Sequence, residues 1–322
     1  MQRFLHLAAV LLLLSACTPE PPAPLRIGTC IRVGCEQLYL ARDLGYYGDA
    51  PVRIVEYSSA TEVLRAFRSG ALDAVAVSLD EAMQLAQHSP LRIVLVMNFS
   101  NGADVVLGQP DLKMFADIKG KRVGVENTAL GAYVLARALQ INGLQPGDIR
   151  VVHLPIDAQK RAFEEKRVDA VVTFEPVHSE LEAAGAHHLF DSKQLPGEMV
   201  NVVAVRKEYL DRNPRVVEAL LRGWFKAMAT FKAEPGASTQ RMATDRALPP
   251  QQFHSSLDGF RFPDLRENLG ALAEKPALKG RVEMLSAFML QQGLLDAAVA
   301  SRDILDARPL MAVAAAPPDA GG

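Results

Sequence analysis

The stretch Arg65-Ala-Phe-Arg-Ser-Gly-Ala-Leu-Asp-Ala-Val-Ala-Val77 decides the fold, because the chain repeats it as Arg161-Ala-Phe-Glu-Glu-Lys-Arg-Val-Asp-Ala-Val-Val-Thr173. Six of thirteen positions are identical across a separation of 96 residues, including both Arg-Ala-Phe starts and both Asp-Ala-Val runs. In each copy the pattern predicts a helix end, a turn and a buried strand that leads into a new helix. Asp-Ala-Val after a helix is also a common entry into a parallel strand, so the match has a simpler origin open to it. The period is too long for the stacked units of a solenoid. Two similar α/β lobes account for it better.

Outward from the two copies, short β-branched runs alternate with helical patterns. Strands are predicted at Leu25–Thr29, Val52–Tyr57, Ala74–Ser78, Ile93–Phe99, Val105–Gly108, Arg122–Val125, Ile149–His153, Ala170–Thr173 and Val200–Val205. Several helix starts are readable: Ser59 with Glu62 and Ser78 with Glu81 form capping boxes, and Gly70 ends the first of these helices. Pro176 at a first helical position makes Glu175 the expected cap of another. Such alternation argues for an α/β fold of two lobes, each a mostly parallel sheet flanked by helices. After Val205 the alternation stops. From Lys207 to about Ala307 the pattern is helical, with Val217, Leu220, Leu221, Trp224, Phe225 and Met228 on one stripe. This helical extension is expected to pack on the first lobe.

The N-terminus has a different character. Arg3 precedes an apolar run from Phe4 to Leu14, and Leu14-Ser15-Ala16-Cys17 closes it. A run of about a dozen residues is too short to span a bilayer, which takes roughly 20, but it suits a secretory signal over residues 1–16. The pattern resembles a bacterial lipoprotein signal, which implies lipidation of Cys17. Residues 17–24, rich in proline, form an extended spacer. Net charge is −2 with basic residues scattered, which recommends neither nucleic acid nor an anionic membrane surface as partner. No later stretch reaches 18 apolar residues. An exported compartment permits a Cys30–Cys35 disulfide, although two free thiols are the expected state. Residues 312–322 read as a disordered tail.

In open α/β sheets, ligands bind outside the C-terminal strand ends, where helix N-termini present unpaired N–H groups. That rule selects Gly34, Glu36, Ser78, Asp80, Asn101, Glu126, Asn127, Thr128 and Glu175 as cleft lining, with Asp104 among the neighbouring acids. Converging carboxylates favour a cationic or hydrogen-donating ligand. For each acid taken alone, capping a helix or facing solvent is the more ordinary role. Arg32 is the base among these segments, available to Glu36 or to an anionic ligand. No nucleophile elbow, H-E-x-x-H or P-loop is present. Neither His153, His178, His187 nor His188 has zinc-site spacing, and His187-His188 reads as a strand start. No cofactor and no metal site are expected.

Four segments then carry a family resemblance: Glu36-Gln-Leu-Tyr-Leu-Ala-Arg-Asp-Leu-Gly-Tyr-Tyr47, Ala60-Thr-Glu-Val-Leu-Arg-Ala-Phe67, Gly120-Lys-Arg-Val-Gly-Val125 and Asp169-Ala-Val-Val-Thr-Phe-Glu-Pro176. In this order the chain resembles type II periplasmic binding proteins, within the nitrate/sulfonate/taurine and thiamine pyrimidine precursor group of ABC-importer substrate-binding proteins. The likeness runs from about Leu25 to Ala307. It implies two lobes joined by two crossovers, near Ser100–Asp104 and Gly197–Val203. Lobe one would comprise residues 25–101 and 202–311, and lobe two residues 102–201. Related chains carry an aromatic-Pro-Gly-Tyr run where this one has Arg32-Val33-Gly34-Cys35, so two aromatic walls are missing. The resemblance implies delivery of a small polar molecule to an ABC permease with ATPase subunits. With the N-terminal signal, the expectation is an exported lipoprotein that touches the membrane only through its anchor. A monomer is the default for a protein that must clamp and dock. A ligand sensor and an enzyme on the same scaffold are the alternatives, and ligand identity and the membrane that holds the anchor stay open.

Overall fold

The computed structural model describes residues 22–30, 33–246, 250–274 and 276–316. The signal segment, Cys17 and Arg32 lie outside them. Among the described residues, eleven strands form two sheets: β1 (Leu25–Cys30), β2 (Val52–Tyr57), β3 (Ala74–Ser78), β4 (Leu91–Ser100), β5 (Val105–Gly108), β6 (Arg122–Val125), β7 (Arg150–His153), β8 (Ala170–Thr173), β9 (His187–Asp191), β10 (Val200–Arg206) and β11 (Phe260–Arg261). The first six helices are α1 (Glu36–Asp43), α2 (Ala60–Arg68), α3 (Leu79–Ala86), α4 (Ala129–Ile141), α5 (Ile156–Glu164) and α6 (Val177–Ala183).

One sheet has the order β11-β4-β10-β3-β1-β2 and the other β7-β6-β8-β5-β9. β1 pairs in parallel with β2 and β3, while β10 runs antiparallel between β3 and β4. In the second sheet β6 is parallel to β7 and β8, and β5 runs antiparallel between β8 and β9. All strands except β5, β10 and β11 therefore share one direction within their sheet. β5 and β10 are the strands that follow the two crossovers between the sheets, and β11 comes from the C-terminal region and pairs antiparallel with β4. The all-buried runs of β3, β5 and β8, and of β10 as far as Val205, are those of strands covered on both faces.

The repeated segments fold alike. The Asp73 carboxylate accepts from the Arg26 backbone N–H (3.0 Å), Nε (2.7 Å) and Nη2 (2.8 Å). Asp169 does the same for Arg122, at 2.8, 3.0 and 2.8 Å. Each pair locks the start of a strand to the loop before its neighbour. Gly70 and Lys166, the matched turn residues, both adopt positive φ, 82° and 54°.

Two crossovers join the lobes. Residues 101–104 lead from β4 to β5, and residues 192–199 lead back from β9 to β10. They are stitched together: the Ser192 hydroxyl meets the Ser100 hydroxyl at 2.7 Å and accepts from the Gly102 N–H at 2.7 Å, while the Ser192 N–H donates to the Asp104 carbonyl. Glu198, on the return passage, accepts from the Tyr133 hydroxyl (2.6 Å) and from Arg137 Nε and Nη2 (2.8 and 2.9 Å), which ties α4 to this crossover. Burial pushes the Glu198 carboxyl up, but the Arg137 guanidinium and Tyr133 hydroxyl outweigh it and leave the group below its ordinary value.

Two features differ from the sequence expectation. β11 interrupts the helical C-terminal region and pairs with the end of β4, with the Arg261 guanidinium over the Phe99 ring at 4.4 Å. The helix Arg308–Ala315 enters the segment read as a disordered tail; Leu310 is wholly buried in the core and anchors it, and residues 317–322 lie outside the described set. Cys30 and Cys35 are buried and not bridged.

Candidate functional site

The C-terminal ends of β1, β3 and β4 in one lobe and of β6 and β8 in the other carry an unusual density of buried polar groups. Glu36 opens α1 and is fully buried, as is Gln37 beside it. Both polar atoms of the Gln37 amide lack a hydrogen-bond partner among the described residues. Ser78 precedes α3, and its N–H donates to Glu81 Oε2 at 3.0 Å. The Ser78 hydroxyl and the Thr173 hydroxyl at the end of β8 are buried without a partner among the described residues. Asp80 and Asp104 are buried as well. Hydroxyls and amides in such places cost free energy unless something bonds them, roughly 1–3 kcal/mol each, and a ligand is one means of satisfying them.

Gly34 sits at φ 119°, a conformation that a side chain would strain, and its carbonyl accepts from Asn98 Nδ2 at 2.7 Å. Asn98 Oδ1 in turn accepts from Asn201 Nδ2 at 2.7 Å. The crossover strands β4 and β10 thereby hold the loop that leads into α1. Neither asparagine stands among the sequence-selected residues. Their signal was a polar residue interrupting an apolar run, Leu95-Val-Met-Asn-Phe99 and Val200-Asn-Val-Val203.

The second lobe reaches across the gap through Glu126. Its Oε1 accepts from the Thr61 hydroxyl at 3.3 Å and lies 3.5 Å from the Thr61 backbone nitrogen, at the N-terminus of α2. Thr128 caps α4, its hydroxyl accepting from the Gly131 N–H at 3.2 Å. A cavity of about 440 Å³ lies where the lobes meet, lined by Gln84, Glu126, Asn127, Thr128, His153 and Leu294 among others. A second, of about 310 Å³, is bordered by Ser58, Thr61, Arg65, Asn127, His153 and Asp157. Asn127 is exposed and borders both.

Two more of the selected residues make local contacts. Asn101 is exposed in the first crossover, its backbone N–H bonded to the Gly259 carbonyl at 2.8 Å. The Glu175 carboxylate turns back on its own helix, accepting from the Ser179 hydroxyl (2.7 Å) and N–H (3.2 Å). Helix α6 begins one residue later than expected, with Pro176 as its N-cap. No helix among the described residues is long and apolar enough to cross a membrane.

The sequence profile of the NMT1-like family matches residues 18–244. The chain belongs to this family. It is 25% identical over 184 residues to the taurine-binding periplasmic protein of Escherichia coli (strain K12), a match covering 56% of this chain and 57% of that one. The chain thus spans little more than half the length of that relative. Among solved structures, the alkanesulfonate-binding protein of Xanthomonas axonopodis pv. citri, bound to MOPS, superposes with a TM-score of 0.73 at 20% identity, over 88% of this chain and 99% of that one. A desulfurization enzyme superposes with a TM-score of 0.69 at 17% identity, over 90% and 98%. The family relationship and these superpositions establish the two-lobed α/β fold of periplasmic binding proteins. They also place an enzyme among its structural neighbours, so the fold by itself does not decide between binding and catalysis.

Proposed function

We propose that this chain is an exported, lipid-anchored solute-binding protein, tethered at Cys17, that captures a small polar organic molecule between its lobes and delivers it to an ABC permease. The observation that carries this reading is the band of buried polar groups on facing strand ends, with the Ser78 and Thr173 hydroxyls lacking a partner among the described residues. The mechanism is binding without chemistry. A ligand that touches both lobes favours the closed arrangement by its higher affinity for it, and a permease can then read the closed shape. Glu36, Ser78 and Asp80 would meet the ligand from lobe one, and Glu126, Asn127 and Thr128 from lobe two. Membership of a family with periplasmic taurine and sulfonate binders among its relatives supports the reading.

The test is a thermal-shift and calorimetry panel of taurine, alkanesulfonates, nitrate, aminopyrimidines, amino acids and small amines. A true ligand at 100 times its Kd adds about 2.7 kcal/mol of stability. Glu126→Ala is expected to weaken the hit at least tenfold and to leave the melting temperature of the unliganded protein within a few degrees. No shift with any compound, on folded protein, would refute solute capture of these classes. A changed mass of the bound compound after incubation would favour an enzyme instead.

A further inference from the structure

Five side chains of the second lobe meet between α6 and the edge strand β9, apart from both cavities. His178 and Glu182 lie one turn apart on α6 and so share a face. His188 comes to them from β9. His178 Nε2 lies 3.1 Å from Glu182 Oε1, and His188 Nδ1 lies 3.3 Å from the same oxygen. All three donor atoms fall within 4.8 Å of one another. Neighbouring ligand atoms around a tetrahedral zinc ion, with bonds of about 2.0–2.1 Å, stand about 3.3–3.4 Å apart. The two pairs that share Glu182 Oε1 already approach that value.

The remaining ring nitrogens point to carboxylates. His178 Nδ1 is 3.3 Å from Glu175 Oε1, and His188 Nε2 is 3.2 Å from Asp191 Oδ2. Metal-ligating histidines almost always give their second nitrogen such a partner, which fixes the tautomer and the ring plane. The carboxylates are themselves held, Glu175 by Ser179 and Asp191 by the Lys193 N–H at 2.8 Å. Glu182 and His188 are two-fifths exposed while His178 is mostly covered, so one side of the trio opens to water.

We propose that His178, Glu182 and His188 bind a divalent transition-metal ion, zinc foremost, with solvent completing its coordination. A sequence pattern for this site does not exist, because its third ligand arrives from a neighbouring strand rather than from a fixed spacing. Two imidazoles and one carboxylate suit zinc and its cobalt surrogate, and would reject calcium or magnesium, which take oxygen ligands.

The test titrates the purified full chain with Co(II) and then Zn(II), following visible absorption and melting temperature. The expected result is one equivalent of cobalt with the intense bands of tetrahedral geometry, displaced by zinc, and a metal-dependent rise in melting temperature. His188→Ala and Glu182→Ala, at exposed positions, are expected to abolish binding, whereas His187→Ala retains it. Glu175→Gln and Asp191→Asn should each lower affinity on the order of tenfold or more. Absence of saturable cobalt or zinc binding would overturn the proposal. So would binding that survives in both His178→Ala and His188→Ala, since the metal would then sit elsewhere. None of these readouts depends on solute binding.

Discussion

Asp169 binds the Arg122 guanidinium and the Arg122 backbone N–H with a single carboxylate, and the hydrogen bond from that guanidinium is the main reason its carboxyl lies below the ordinary value. A carboxyl lowered by folding contributes stability that is fully present above the unfolded value, about 3.9, and is lost as pH falls through the folded one. Asp169→Ala should therefore cost about 1–2 kcal/mol near neutral pH. The deficit should shrink in strong acid, where the wild-type carboxyl is protonated too. Urea midpoints at both pH values check this, and an equal loss at each would refute it. Lys166 sets up the opposite case. Its left-handed φ costs roughly 1–2 kcal/mol for a residue with Cβ, while glycine loses about 0.5–1 kcal/mol of extra chain entropy on folding. Lys166→Gly leaves the carbonyl that accepts from Arg122 Nη2 in place, so a higher melting temperature is expected. A lower one would mean that the lysine stem, not the backbone, governs this turn.

At the scale of elements, the helix Pro214–Ala233 shows propensity overruled by packing. Alanine is normally worth about 1 kcal/mol more than glycine inside a helix. At Gly223, however, a Cβ would fall 2.5 Å from Tyr47 Cδ1 and 3.2 Å from the Tyr46 carbonyl oxygen. Tyr47 cannot swing away easily, because it is buried and its hydroxyl donates to the Leu38 carbonyl at 2.7 Å. Gly223→Ala should thus destabilise, by about 1–3 kcal/mol for the overpacking less the propensity gain, and a raised denaturation midpoint would contradict this. Most strands were legible because β-branched runs between turn residues are strong local signals. β11 was not: two residues have no period, and only pairing with the end of β4 makes them a strand. The candidate site divides in the same way. Ser78 and Thr128 announce themselves as caps ahead of apolar helices, whereas Asn98 and Asn201 become connected only when β4 and β10 pair. Glu175 satisfies the strand-end rule, and its carboxylate also meets Ser179 and His178 on the following helix, contacts that no sequence spacing announces.

For the whole molecule, the opening and closing proposed above would depend on what joins the lobes apart from the stitched crossovers. The Glu126–Thr61 contact is one such link, and its distances of 3.3 and 3.5 Å make it a weak one. Weak links suit a clamp. A lobe–lobe bond of several kcal/mol would hold the cleft shut without ligand, and apparent affinity depends on the fraction of molecules able to admit and enclose the ligand. Removing the Thr61 hydroxyl should therefore cost about 0.5–1 kcal/mol of closure, read as a two- to fivefold weaker Kd. Glu126 is proposed to touch ligand as well, so Glu126→Ala should lose more than this. If both residues act through one contact, Thr61→Val should have no further effect once Glu126 is alanine. A double-mutant cycle in calorimetry, with small-angle scattering on the unliganded variants, decides the matter. Full additivity would show that Thr61 and Glu126 do not act through a shared contact, and would leave closure to the hinge and the ligand alone.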